Sequence, residues 1–87
     1  MIIKKELIKR DVAGDTVLVP VGKTVYDSNG LFILNEVAAF IWDRLESVAS
    51  EQELLTAVLA EYEVTEAEAR KDLQDFLAEL RKMGILD

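Results

Sequence analysis

The stretch LFILNEVAAFIW, residues 31–42, decides the fold, because a run of four apolar residues leads there directly into a helix start. Residues 31–34 are apolar in succession, which is typical of a strand that is buried on both faces. Asn35 is a good helix N-cap, and Glu36 suits the positive end of a helix dipole. The apolar positions that follow cover a wide arc of a helix. We therefore predict that a third strand ends at Asn35 and that a largely buried helix begins there.

The residues before this junction predict two strands. Residues 2–12 mix apolar and charged side chains, and Gly14-Asp15 then offers a turn before the β-branched run of residues 16–19. The two segments are expected to form a hairpin. Pro20 has no N–H group, so the second strand ends there or meets it at a bulge or an edge. A connecting arm, residues 22–30, then leads to the third strand.

The residues after the junction predict three helices. The first is expected to run from Asn35 to about Glu46. Capping-box pairs mark the starts of the other two, namely Ser50 with Glu53 and Thr65 with Glu68. The third helix ends with basic residues and has Gly84 at its C′ position. Three N-terminal antiparallel strands followed by three helices predict an α+β fold, similar to a winged helix-turn-helix, in a single domain over residues 1–87.

The composition excludes most kinds of enzyme. The chain contains no cysteine and no histidine, so it lacks the most nucleophilic side chain and the commonest general base. We predict a protein without catalytic activity that needs no cofactor and no metal. No apolar run approaches the roughly 20 residues of a membrane span, and the first ten residues lack the apolar block of a signal peptide. A cytoplasmic protein is expected.

The charge argues against a nucleic-acid partner. The formal net charge is −7, and between residues 50 and 80 nine acidic residues are balanced only by Arg70 and Lys71. Phosphate repels a recognition helix of this sign. One alternative class of function stays open, an acidic winged-helix transcription accessory or protein–protein interaction module.

The apolar third strand and the last helix predict a groove for an extended peptide. The third strand is the last of three, and at a sheet edge its free N–H and C=O groups can pair with an incoming strand. About three such hydrogen bonds, at roughly 1 kcal/mol each, fall short of the about 8 kcal/mol that micromolar binding requires. Apolar contacts must supply the remainder. The predicted peptide-binding residues are Leu31, Phe32, Ile33, Leu34, Asp72, Asp75, Phe76 and Glu79.

Three alternatives to this groove remain open. The connecting arm and Ile85-Leu86 can cover the third strand instead of a peptide. The other flank of the last helix, with Arg70, Gln74 and Arg81, can face the groove in place of the acidic flank. The acidic flank itself can bind a hard cation such as calcium or magnesium, although a solvated helix face is the simpler interpretation.

The order and spacing of core and cap residues form a pattern found in one known family. The pattern comprises Leu34 to Trp42, Glu53 to Leu55, Glu61 to Val64, Asp72 to Leu77 and Gly84 to Leu86. From Asp11 onward the chain resembles the PqqD-like family. This is the coenzyme PQQ synthesis protein D type of peptide-modification chaperone, also called the RiPP precursor peptide recognition element.

The resemblance implies a fold and a function. Members of that family bind the leader of a ribosomally synthesised precursor peptide, which adds as a strand to strand three and lies against helix three. They do no chemistry, and they present the leader to a modifying enzyme, often a radical S-adenosylmethionine (radical SAM) enzyme. The corresponding elements here are residues 31–34 and 65–83. The longer arm and the absence of histidine depart from the PQQ-pathway members, which favours a different precursor peptide.

Overall fold

A computed structural model describes residues 1–21 and 32–87, and for Phe32 it describes the backbone only. Its sheet contains β1 (Leu7–Val12), β2 (Asp15–Pro20) and β3 (Phe32–Leu34) in the order β1-β2-β3, and both pairs are antiparallel. The two residues between β1 and β2, Ala13 and Gly14, have φ angles of 52° and 89°. A two-residue turn with positive φ at both positions matches the twist of a hairpin. The predicted hairpin is therefore confirmed, with its turn at Ala13-Gly14 and not at the predicted Gly14-Asp15.

The first strand is shorter than predicted. The prediction began it at residue 2, whereas β1 begins at Leu7. The preceding segment pairs instead with the end of the chain, through a bridge between Ile3 and Leu86 and a 2.7 Å hydrogen bond from the N–H of Lys4 to the C=O of Ile85. This pairing turns residues 2–4 away from the hairpin.

Three helices follow the sheet, as predicted. They are α1 (Glu36–Arg44), α2 (Glu51–Glu61) and α3 (Glu66–Lys82), and a short 3-10 helix (Leu45–Ser47) follows α1 and spans its predicted end near Glu46. The predicted N-caps all accept a backbone hydrogen bond: Asn35 from Ala38 at 2.8 Å, Ser50 from Glu53 at 3.3 Å and Thr65 from Glu68 at 3.1 Å. Satisfying these free N–H groups fixes where each helix begins.

The last helix ends in a glycine-dependent turn. Gly84 has a φ angle of 73°, its N–H donates to the C=O of Arg81, and the N–H of Ile85 donates to the C=O of Leu80. These two hydrogen bonds define a Schellman motif, which requires the left-handed conformation that glycine adopts most easily. The turn sends Ile85 and Leu86 back into the core, where both are buried.

The core lies between the sheet and the three helices. Its largest fully buried side chains are Leu18, Ile41, Leu45, Leu54, Leu55, Val58, Leu77 and Leu80. In addition, the ring of Phe40 on α1 meets Tyr62 edge-to-face at 5.3 Å, and the Arg44 guanidinium lies 3.6 Å above the Phe40 ring. These contacts hold α1 in place beside α2. The α+β winged-helix-like fold is confirmed. Within the described ranges, no helix has both the length and the apolar character to cross a membrane.

Candidate functional site

The third strand lies at an edge of the sheet. In the sheet order β3 neighbours β2 alone, so one side of its backbone is unpaired within the described part of the chain. Successive residues of an antiparallel strand direct their N–H and C=O groups to opposite sides. The residues of β3 therefore differ in whether they bond to β2 or point to the free edge.

The hydrogen-bond alternation of the hairpin can be deduced from its two ends. At the turn, Val12 and Asp15 flank a two-residue loop and so form a hydrogen-bonded pair. At the other end, the N–H of Val21 donates to the C=O of Glu6 at 3.0 Å. Both ends show that odd-numbered residues of β2 direct their backbone groups to β1. The even-numbered residues of β2 therefore bond to β3.

This alternation makes Ile33 the outward residue of β3. Phe32 and Leu34 lie opposite even-numbered residues of β2, so their backbone groups bond to β2. Ile33 lies opposite Val17, in a pair without hydrogen bonds. Its N–H and C=O consequently point to the free edge, where they offer one donor and one acceptor to an added strand.

A groove of about 310 Å³ lies beside this edge, between β3, α1 and α3. It is lined by Ile33, Asn35, Val37, Ala38, Ile41, Asp72, Asp75, Phe76 and Glu79. The helix α1 reaches the groove because it begins directly after β3, and α3 forms the facing wall. The outward backbone groups of Ile33 therefore open onto a ready-made cleft.

The groove has an apolar part. Val37 and Ala38 of α1, which are half-buried, and Ile41 and Phe76, which are buried, form its apolar lining. Burying one large apolar side chain stabilises a complex by about 1.5–3 kcal/mol. Burying an apolar side chain of a bound peptide against this lining, the apolar floor of the groove, would therefore contribute more free energy than a single backbone hydrogen bond.

The wall formed by α3 is acidic. Asp72, Asp75 and Glu79 are exposed and line the groove. The carboxylate of Asp75 accepts a 2.9 Å hydrogen bond from Lys71, and this bond together with the charge of Asp75 raises the pKa of Lys71. Asp72 and Glu79 form no ion pair within the described residues. They are available to a cation on a bound peptide.

The opposite flank of α3 faces α2 instead of β3. The guanidinium of Arg81 bonds to Glu51 of α2 at 3.2 Å and to the C=O of Asp87 at 3.2 Å. Arg70 and Gln74 line a separate cavity against α2. Of the two flanks that the sequence left open, the acidic one lines the groove.

The structure brings five of the eight predicted residues to the groove. These are Ile33, Asp72, Asp75, Phe76 and Glu79. Leu31 lies outside the described residues, and of Phe32 only the backbone is described. Leu34 does not line the groove: it is 5% exposed in the core, and its backbone groups bond to β2.

Four further groove residues, the N-cap of α1 and three residues of the helix itself, were not predicted as part of the site. They are Asn35, Val37, Ala38 and Ile41. The prediction assigned α1 to the core and Asn35 to capping alone. The wide apolar arc of α1 could have indicated their place in the groove. An arc that wide covers more of the helix than the core contacts, and the side nearest to β3 lines the groove.

The sequence left a hard-cation site on the acidic wall open. In residues 1–21 and 32–87, no group of three or more potential metal-ligating side chains is placed to hold an ion. Asp72, Asp75 and Glu79 are all exposed on the surface of α3.

Comparison with known proteins places the chain in a family. The family model for coenzyme PQQ synthesis protein D (PqqD) matches residues 15–86. A solved structure of TbiB1 in complex with the TbiA(beta) leader peptide is 29% identical, with a TM-score of 0.74, over 100% of this chain and 95% of that one. A lasso peptide synthetase B1 complexed with the leader peptide has the same fold, at 24% identity and a TM-score of 0.70, over 95% of this chain and 92% of that one. A comparison with curated proteins finds no match. The match over most of the sequence agrees with the resemblance in core and cap residues, and the chain belongs to the coenzyme PQQ synthesis protein D (PqqD) family.

Proposed function

We propose that this chain binds the leader segment of a ribosomally synthesised precursor peptide by strand addition to the free edge of β3. It then presents the leader to a modifying enzyme and does no chemistry itself. The observation that carries the proposal is the position of Ile33, whose N–H and C=O both open onto a groove with an apolar floor and an acidic wall. The similarity of this chain to TbiB1, whose structure was solved with a leader peptide, supports the same class of ligand.

The geometry specifies which leader residues enter the groove. The leader residue that pairs with Ile33 has its side chain on the same sheet face as Ile33. Its two neighbours direct their side chains to the opposite face, where Leu34 and the helices lie. We propose that these two neighbours are apolar and contact Phe76, Val37, Ala38 and Ile41.

The energetics require those apolar contacts. Two backbone hydrogen bonds at Ile33 contribute about 2 kcal/mol in total, whereas micromolar binding needs about 8 kcal/mol. Two buried apolar side chains at about 1.5–3 kcal/mol each supply at least half of the difference. The carboxylates of Asp72, Asp75 and Glu79 mainly orient a basic residue of the leader, because exposed ion pairs contribute little energy.

Two kinds of enzyme are candidates for the one that receives the leader. The resemblance to PqqD-like chaperones favours a radical SAM enzyme. The lasso peptide synthetase B1 that shares this fold supplies a lasso peptide synthetase as the second candidate. Modification of the precursor peptide by either enzyme, measured by mass spectrometry with and without this chain, separates the two.

Titration of the isotope-labelled protein with the precursor peptide encoded beside it tests the proposed function. Amide shifts are expected at Ile33 and along α3, since these groups lie at the new strand. A peptide of the same composition in scrambled order is the control. Shifts confined to other surfaces, or none with any neighbouring precursor, would contradict leader binding at β3.

Neutralising Asp72 and Glu79, the two groove acids without an ion pair among the described residues, is expected to weaken the binding of a basic leader modestly. In the double variant Asp72→Asn/Glu79→Gln, two exposed ion pairs of about 0.2–1 kcal/mol each are lost, so Kd rises about two- to thirtyfold at low salt. Salt screens such pairs, so binding by the variant also depends less on ionic strength. Calorimetric titrations at two salt concentrations measure both effects.

A matched control removes the same charge elsewhere. Glu61 and Glu63 are exposed near the end of α2 and do not line the groove. The variant Glu61→Gln/Glu63→Gln is expected to bind the leader within about twofold of the unaltered protein, since neither side chain lines the groove and salt screens exposed charges that make no direct contact. Equal weakening by both double variants would assign the effect to net charge and not to the groove.

A further inference from the structure

The opposite edge of the sheet, at β1, also carries unpaired backbone groups. The alternation that directs odd-numbered residues of β2 to β1 pairs them with even-numbered residues of β1. Leu7, Lys9 and Asp11 therefore direct their N–H and C=O groups outward. Residues 8–12 are exposed, and within the described part of the chain no strand pairs with this edge. This edge offers three outward residues, compared with one at β3.

A cavity lies where β1 begins. Its volume is about 600 Å³, and its apolar walls come from Ile3, Leu7, Val21 and Trp42. The acids Asp43 and Glu46 of the α1 region line it as well. The cavity adjoins the outward backbone of Leu7. A strand that pairs with β1 can therefore place one apolar side chain in it.

The charge of this region differs from that of the rest of the chain. Four cations and four acids lie around the β1 edge, namely Lys4, Lys5, Lys9 and Arg10 with Glu6, Asp11, Asp43 and Glu46. This surface is therefore neutral, and the whole formal net charge of −7 lies outside it. An approaching acidic protein meets the least repulsion here.

Two possible occupants of the β1 edge are disfavoured. A basic leader is attracted to the acidic groove at β3, and the neutral edge has no such preference. A second copy of the chain is disfavoured by the charges that it would bring together. In the register that pairs all three outward residues of both copies, Lys9 would lie directly opposite Lys9, and like charges in that position are destabilising.

We propose that the β1 edge docks an extended segment of the modifying enzyme, so that leader and enzyme occupy opposite edges of one sheet. The segment carries an apolar residue for the cavity beside Trp42 and a carboxylate for Arg10, which has no ion-pair partner among the described residues. The identity of this partner rests on the proposed function. The docking edge itself rests on the backbone geometry of β1.

A proline at position 9 tests the edge. Lys9 lies opposite Leu18 in a pair without hydrogen bonds, so Lys9→Pro removes an outward N–H and no bond to β2. Lys9→Ala is the matched control, because it removes the same 2.6 Å ion pair with Asp43 and keeps the N–H. With the purified modifying enzyme and no leader present, Lys9→Pro is expected to bind at least about fivefold more weakly than Lys9→Ala.

Further measurements separate the possible outcomes. Leader affinity is expected to be equal in both variants, and Arg10→Glu is expected to weaken enzyme binding as well. Equal enzyme binding by Lys9→Pro and Lys9→Ala would overturn the docking edge. A dimer in sedimentation that Lys9→Pro dissociates would overturn it in favour of a second copy. Absence of leader binding by the unaltered protein would contradict the proposed function. The docking edge would still be tested, because enzyme binding by Lys9→Pro and Lys9→Ala is compared without leader.

Discussion

Replacing Ile33 with proline is expected to weaken leader binding about 5- to 150-fold while the domain stays folded. Ile33 lies opposite Val17 in a pair without hydrogen bonds, so the lost N–H is the one that points to the free edge. Without it, a leader carbonyl is buried unsatisfied, which costs about 1–3 kcal/mol. Proline is tolerated at a sheet edge in this orientation. Calorimetric titration of the leader measures the change in Kd.

The control for this variant keeps the backbone donor. Ile33→Val retains the N–H and a β-branched side chain that fits a strand, and its binding is expected to stay within about fivefold, since one buried methylene contributes about 0.8 kcal/mol. Circular dichroism and thermal melting confirm that both variants are folded. If Ile33→Pro binds the leader as tightly as Ile33→Val, then the leader does not pair with β3, and the groove binds it through side chains alone.

The parts of the fold that depend on neighbouring residues could be predicted from the sequence. Ser50 and Thr65 cap their helices through hydrogen bonds to residues three positions later, and Gly84 ends α3 through bonds within one turn. Such interactions are visible in sequence spacing. The start of β1 was predicted wrongly because the bridge between Ile3 and Leu86 joins the two ends of the chain, and nothing local indicates it.

The site could be predicted only in outline. An apolar strand beside an acidic helix flank indicated a groove between β3 and α3, but the choice of flank depends on α2, where Glu51 binds Arg81. The distinction between Ile33 and Leu34 depends on strand register. That register follows from the Ala13-Gly14 turn and from the pairing of β2 with β3, and an apolar run of four residues does not reveal it.

Truncation of a core residue of α3 is expected to have the largest effect on stability. Leu77 is 0% exposed, so Leu77→Ala loses its apolar contacts and leaves a cavity, at a cost of about 2–5 kcal/mol. Domains are stable by only roughly 5–15 kcal/mol in total. The melting temperature is expected to fall by about 10 °C or more, since each kcal/mol shifts it by about 4–8 °C at this size. Chemical denaturation and calorimetry measure both quantities.

The response of this variant to the leader connects stability with function. Gln74→Ala, at an exposed position of the same helix, is the control and is expected to change the free energy of unfolding by less than about 0.5 kcal/mol. Leu77 does not line the groove, so the folded fraction of Leu77→Ala should bind the leader with unaltered affinity. Leader at 100 times its Kd then stabilises the folded state by about 2.7 kcal/mol and restores much of the lost melting temperature. The contrary outcome is a leader that raises the melting temperature of the unaltered protein and leaves that of Leu77→Ala unchanged. That result would show that the groove depends on core packing beneath α3. It would contradict the separation of core and site that we infer from the burial of Leu77.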